Sequence, residues 1–155
     1  QAFSLGVEDA PRASIRTGAR YIGFAQRLLA MAAAYANDWI SLEAPLKNRP
    51  SIQRMLAELD VQIKSTRWLM YHAAWLADKQ EPLRIPAAEV RLATGELLHK
   101  AVDLSTMIFG GSGPSPEIEI HRYVHSAIPM EALELGLEIA RATIADQVLS
   151  EHKTG

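Results

Sequence analysis

The stretch Ile108-Phe109-Gly110-Gly111-Ser112-Gly113-Pro114 decides how this chain folds. Glycine and proline both destabilise a helix interior, so a helix that reaches this stretch must end there. Before it, apolar residues recur at helical spacing from about Ile85 or Pro86 onward. The pattern predicts a long helix that ends at Phe109, followed by a non-helical reversal of the chain over 110–116.

The same periodicity indicates the other helices, which proline-containing segments separate. Pro45, Pro50 and Pro82 each lack a backbone donor and disfavour helix in the residue before them. No window shows the two-residue alternation of a strand. We therefore predict an all-α fold, an antiparallel four-helix bundle, with residues 1–10 as a loosely held arm and 11–155 as one domain. The predicted helices run over about 11–41, 50–79 and 85–109, with a short helix at 117–128 before the last one at 130–150.

Composition limits the classes of function. The chain has 155 residues, of which 48% are hydrophobic, enough for one domain with a real core. A net charge of −2 gives no general attraction to nucleic acid, and the absence of cysteine excludes disulfides and thiolate metal sites. No apolar run reaches the roughly 20 residues that a membrane span needs, and nothing resembles a signal peptide. We expect a cytoplasmic protein without membrane insertion.

Three segments carry a more specific pattern. Gly23-Phe24-Ala25-Gln26-Arg27 lies on the first long helix and Tyr71-His72-Ala73-Ala74-Trp75-Leu76-Ala77-Asp78 on the second. The glycine stretch is the third, and it is followed by Arg122 and by Glu134-x-x-x-Glu138-Ile139-x-Arg141. In this order they resemble the C-terminal helical domain of the acyl-CoA dehydrogenase family, over about Arg12 to Leu149. Because that family carries two domains before this one, and the chain starts at Gln1, we expect a fragment of a longer polypeptide.

The resemblance implies an FAD-dependent oxidoreductase of lipid metabolism that acts on an acyl-CoA thioester. Gly110, Gly111 and Gly113 would contact the FAD, and Glu134 would be the catalytic base that removes the α-proton. Arg12 and Arg16 would bind substrate, since they flank Ser14, which stands where the family has an arginine. Family members also self-associate through this domain, so the resemblance implies a homo-oligomer or a related partner subunit.

Both motifs also have simpler interpretations. Glu134 can be an ordinary surface glutamate in the first turn of a helix, where the helix dipole favours a negative charge. The glycine stretch can be a helix C-cap that only reverses the chain. The functional interpretation further requires that the last helix begin beside the glycine stretch, so that Glu134 and the stretch together form half of a pocket.

Several flavin-contacting positions of the family carry different chemistry here. Trp39 stands where the family has an arginine that pairs with the flavin pyrophosphate, and one indole donor cannot replace a guanidinium. The other replaced positions are Leu42, Glu43, Pro50, Met107, Gly136 and Ala140. Two interpretations stay open: part of an FAD-dependent acyl-CoA dehydrogenase whose isolated domain is inactive, or a non-catalytic, flavin-less partner subunit or interaction module. An unrelated bundle is a third.

We predict no metal site. Glu96 and His99 have the Glu-x-x-His spacing of di-iron bundles, but no second such motif is present in the sequence. His121 and His125 lie one helical turn apart, yet a third ligand is not evident.

Overall fold

The computed structural model describes residues 2–41, 43–113, 115, 117–133 and 137–152, and it is built almost entirely from helices. Two strands of two residues each, β1 (Ile40–Ser41) and β2 (Ala44–Pro45), pair as an antiparallel turn after the first helix. The predominance of helices among the described residues confirms the predicted all-α class. The helices are α1 (Ala2–Asp38), α2 (Pro50–Asp78), α3 (Arg84–Phe109), α4 (Glu119–Leu133) and α5 (Leu137–Glu151).

Contacts between helices show an up-and-down bundle. Gly18 of α1 faces Thr94 of α3, and further along Tyr35 stacks on Phe109, so α1 and α3 run in the same direction. Arg27 of α1 binds Glu119 at the start of α4 at 2.8 Å, and Tyr21, earlier in α1, packs with Ala127, later in α4. Helix α4 therefore runs in the opposite direction to α1. Since α5 then continues along α3, α4 and α5 together occupy the fourth position of the bundle.

The core lies between these helices and is apolar. Leu28, Leu59, Leu97 and Ile120 are completely buried, one from each of α1 to α4. Burying a side chain of this size contributes about 1.5–3 kcal/mol. The apolar faces of α1 to α4 therefore meet in one continuous cluster, as the helical spacing of apolar residues in the sequence predicts.

The closest approach of α1 to α3 depends on a glycine. A Cβ added to Gly18 would lie 2.8 Å from Cγ1 of Val90 and 3.2 Å from Cγ2 of Thr94. The hydroxyl of Thr94 is kept inside the interface by donating to the Val90 carbonyl at 2.6 Å. The small residue at position 18 therefore sets the distance between the two helices.

The start of the first helix differs from the sequence prediction. Helix α1 begins at Ala2, where an arm was predicted over 1–10, and Pro11 lies inside the helix. Side chains hold the two sides of Pro11 together, because Arg16 binds Asp9 at 2.8 Å and the Ser14 hydroxyl donates to the Ala10 carbonyl at 3.1 Å. Local contacts therefore outweigh the helix-ending preference of proline at this position.

The boundary between the last two helices also differs. Helix α4 continues through Pro129 to Leu133, and α5 begins at Leu137 rather than at about 130. Packing explains the continuation, since Ala127 is buried against Tyr21 and Leu98 just before the proline. The reversal after α3 differs as well, because residues Gly110–Ser112 form a single 3₁₀ turn. Among the described residues, no helix combines the length and the apolar character that crossing a membrane requires.

Candidate functional site

The glycine turn at the end of α3 requires glycine at position 110 because of its backbone conformation. Gly110 adopts φ of +56° and ψ of −136°, a region that side chains with a Cβ disfavour, and the Gly113 N–H donates to its carbonyl at 3.1 Å. A Cβ added to Gly111 would meet nothing within 4 Å. The backbone of Gly111 is therefore open to an approaching ligand, whereas Gly110 is required for the turn itself.

A cleft of about 410 Å³ lies beside this turn, between the ends of α1 and α3 and the start of α2. Its wall contains a stack of three aromatic rings. The Tyr35 ring stacks with the Phe109 ring, with centroids 4.2 Å apart, and with the Trp39 ring, with centroids 5.3 Å apart. Trp39 is half exposed, which leaves ring surface for a planar group. This volume falls in the range of about 300–1,000 Å³ that small-molecule sites occupy.

Arg49 brings a positive charge to the same cleft. It is half-buried at the residue before α2, and its Nη2 donates to the Ser41 hydroxyl at 2.9 Å and to the Ser41 carbonyl at 3.4 Å. Among the described residues that line the cleft, Arg49 is the only charged one. Arg49 was not predicted from the sequence, and the signal that could have found it was its position next to Pro50, one of the replaced positions.

The two arginines predicted to bind substrate lie toward the other end of α1. Arg16 pairs with Asp9, and this hydrogen bond and charge lower the pKa of the Asp9 carboxyl below its usual range, with a smaller contribution from Arg12. Arg12 and Arg16 are both exposed. Because α1 extends from one end of the bundle to the other, the structure does not bring these arginines to the glycine turn.

Glu134 lies outside the described residues, between the end of α4 at Leu133 and the start of α5 at Leu137. Its described neighbour Leu137 packs against Gly95, where a Cβ would lie 2.5 Å from the leucine Cδ2. Gly95 precedes Gly110 by fifteen residues, which is about 22 Å along α3. The expectation that the last helix begins beside the glycine turn is therefore wrong.

The start of α5 is held to α3 by charge. Arg141 donates to Glu96 at 3.0 Å and to Glu138 at 2.6 Å, and these bonds raise the pKa of the Arg141 guanidinium. Glu138 and Arg141, which belong to the motif around Glu134, thus form an exposed ion-pair network. This pairing also engages Glu96 of the Glu-x-x-His pattern.

Metal-ligating side chains do not converge in the part of the chain that the structure describes. No group of three or more histidine, aspartate or glutamate side chains is placed to hold a metal ion there. The ring centroids of His121 and His125, which lie one helical turn apart, are separated by 5.7 Å.

Comparison with known proteins decides the family. Residues 11–149 match the family described as acyl-CoA dehydrogenase, C-terminal domain. The chain belongs to the acyl-CoA dehydrogenase family. It is 34% identical over 141 residues to the probable acyl-CoA dehydrogenase YngJ of Bacillus subtilis, covering 91% of this chain and 37% of that protein.

Other members of the acyl-CoA dehydrogenase family agree in sequence and in fold. The bovine mitochondrial short-chain specific acyl-CoA dehydrogenase is 28% identical over 152 residues, covering 98% of this chain and 37% of its own length. The structure of butyryl-CoA dehydrogenase from Megasphaera elsdenii superposes with a TM-score of 0.88 at 25% identity, over 95% of this chain and 38% of that one. The chain thus spans little more than a third of these relatives, as their C-terminal helical domain.

The residues around the cleft fit the nucleotide part of FAD. The Trp39 ring offers a stacking surface for a base, Arg49 offers donors for a phosphate, and Gly111 leaves its backbone uncovered. Among these groups, Arg49 offers a guanidinium, the chemical group that the family has at the position of Trp39. The acyl-CoA dehydrogenase domain therefore retains a cleft with suitable chemistry despite its replaced positions.

Two glycine variants separate turn conformation from cleft access. We expect Gly110→Ala to lower the free energy of unfolding by about 1–3 kcal/mol, because alanine disfavours a positive φ. Gly111→Ala should change it by only about 0.5 kcal/mol, since its Cβ meets open space. Urea denaturation followed by circular dichroism measures both values. Equal losses in the two variants would show that the Gly110 conformation is not what stabilises the turn.

Proposed function

We propose that this chain is the C-terminal domain of an FAD-dependent oxidoreductase that introduces a double bond between the α and β carbons of an acyl-CoA thioester. The observation that carries the proposal is the family match over nearly the whole helical bundle. The cleft beside the glycine turn supports it, because a ring surface, a guanidinium and an open backbone face one space.

Glu134 is the proposed base. Bound FAD supplies the acceptor for the hydride that leaves the β carbon. A carboxylate held close to the α carbon accepts the proton, and apolar surroundings that raise its pKa make it a stronger base. The assignment of Glu134 as the base is a prediction for this chain, and it is based on alignment with the family motif.

The distance along α3 supports a proposal in which different parts of the ligands contact different parts of the domain. The glycine turn lies about 22 Å along α3 from Gly95, the residue that Leu137 contacts. In the proposed enzyme the turn therefore contacts the nucleotide end of an FAD, including one held by a neighbouring subunit. The reacting carbons lie farther along the bundle, toward the start of α5.

An exposed aromatic surface on α2 supports association with other polypeptide. Trp68 is 73% exposed, Tyr71 50% and Trp75 55%, and these residues lie on adjacent turns of one helix. Aromatic surface of this size is typical of interfaces. We propose that the bundle self-associates or binds a related subunit. The cytoplasmic location stays a prediction.

Trp39 favours a second candidate function, a flavin-less partner subunit that keeps the scaffold. It replaces the arginine that pairs with the flavin pyrophosphate in the family, and Met107, which replaces a glutamine, is also largely exposed on the cleft. Neither side chain offers a charge to a phosphate. In this alternative the cleft is a remnant and the α2 surface is the functional feature.

Purification of the complete gene product with its natural partner tests the proposal. We expect a yellow protein that releases FAD on denaturation, in a fixed ratio to the chain. A colourless protein that takes up no FAD on reconstitution would contradict the proposal and support the partner-subunit alternative. The 155-residue chain alone is expected to be inactive, because the matched regions make up only 37% of each of these relatives.

A further inference from the structure

The guanidinium of Arg49 is held by Ser41 through one of its nitrogens, Nη2. Both hydrogen bonds described for the Arg49 side chain involve Nη2, which donates to the hydroxyl and the carbonyl of Ser41. Within the described part of the chain, no carboxylate pairs with Arg49. A guanidinium has five N–H donors in a rigid fork, so Nη1 and Nε keep donors for another acceptor.

The aromatic stack stands on the same cleft. Tyr35 and Trp39 are one turn apart on α1 and its end, with ring planes only 16° from parallel. The stack fixes the Trp39 ring, and half of the residue stays exposed. A planar base gains affinity by stacking on such a ring, and this gain does not require a specific hydrogen-bond pattern.

We propose that Arg49 binds the diphosphate of an ADP moiety in this cleft while Trp39 stacks on its adenine. Charge-assisted bonds from a guanidinium to phosphate are among the stronger hydrogen bonds in proteins, and Arg49 is the only charged side chain among the described residues that line the cleft. This assignment transfers to Arg49 the task that an arginine at position 39 performs in the family. It rests on the proposed function for the choice of ligand, since FAD and coenzyme A both contain ADP.

Calorimetric titration of the complete gene product, freed of bound nucleotide, with ADP and with adenosine tests the assignment. We expect Arg49→Gln to weaken ADP binding by roughly 10- to 100-fold and to leave adenosine binding within about twofold, because only ADP carries phosphate. Arg49→Lys, which keeps the charge but loses the fork, should fall between. Trp39→Ala should weaken both ligands.

Arg54→Gln is the matched control. Arg54 lies on the first turns of α2, is exposed and binds Glu58 at 2.9 Å, and it does not line the cleft. It should leave ADP binding unchanged. Thermal melting of each variant checks folding, and Arg49→Lys provides the measurement if Arg49→Gln melts early.

Failure of this proposal is distinguishable from failure of the proposed function. Unchanged ADP binding in Arg49→Gln, equal weakening of adenosine, or no ADP binding by the unmodified protein would each overturn the role of Arg49. Bound FAD that Arg49→Gln retains would overturn Arg49 but leave the dehydrogenase proposal standing. A colourless protein that binds ADP through Arg49 would support the role of Arg49 and contradict the dehydrogenase proposal. Competition by FAD alone identifies the flavin nucleotide as the source of ADP, and competition by coenzyme A identifies the substrate.

Discussion

Glu134→Gln should abolish the bleaching of enzyme-bound FAD by acyl-CoA in the complete protein. Glutamine has nearly the same shape as glutamate but cannot accept the α-proton, and a positioned general base contributes roughly 10²- to 10⁴-fold to the rate. Stopped-flow absorbance under anaerobic conditions measures the rate of bleaching directly. FAD content and acyl-CoA affinity should stay close to those of the unmodified protein, because the substitution changes the proton acceptor and not the binding surfaces.

Glu138→Gln provides the matched control for that experiment. Glu138 lies four residues after Glu134 in the sequence, its side chain is 86% exposed, and it binds Arg141 on the surface of α5. We expect bleaching to proceed at the unmodified rate in this variant. If Glu134→Gln bleaches as fast as Glu138→Gln, Glu134 is not the base.

Leu97→Ala should lower the free energy of unfolding by about 2–5 kcal/mol. Leu97 is completely buried on α3, within the main core cluster, and truncation removes apolar contacts and leaves a cavity. This loss is a large part of the roughly 5–15 kcal/mol that stabilises a typical domain. Urea or thermal unfolding of the 155-residue chain measures the change.

Leu149→Ala makes the same chemical change on the surface. Leu149 of α5 is 67% exposed, so the substitution should change the free energy of unfolding by only about 0.5 kcal/mol. Similar effects of the two substitutions would mean that α3 does not lie at the centre of the bundle, which would contradict the packing described above.

Local sequence signals were sufficient for the middle helices. The predicted spans 50–79 and 85–109 agree with α2 and α3 to within one residue at each end. Pro50 starts α2 because a proline at the first helical position loses no hydrogen bond. Gly110 ends α3 because its positive φ is accessible mainly to glycine. These constraints act within one or two turns, so the sequence expresses them directly.

Proline was misleading where other contacts favoured a continuous helix, local ones around Pro11 and tertiary ones near Pro129. The predicted helix start at 11 and the predicted break between 128 and 130 both fall at a proline, yet Pro11 and Pro129 lie inside helices. Ala127 is buried against Tyr21, a residue more than a hundred positions earlier in the chain. No local pattern reports such a contact, so the boundary between α4 and α5 could not be located from the sequence.

The sequence by itself determined the all-α class, the positions of the two central helices and the glycine turn, because helical periodicity and backbone restrictions are local properties. Only the tertiary structure decided which side chains share the cleft with that turn. Tyr35 and Arg49 lie about sixty or more residues before Gly110 in the chain, and the packing of α1 and α2 against α3 brings them together. The same packing places Leu137, at the start of α5, near the middle of α3 rather than at its end.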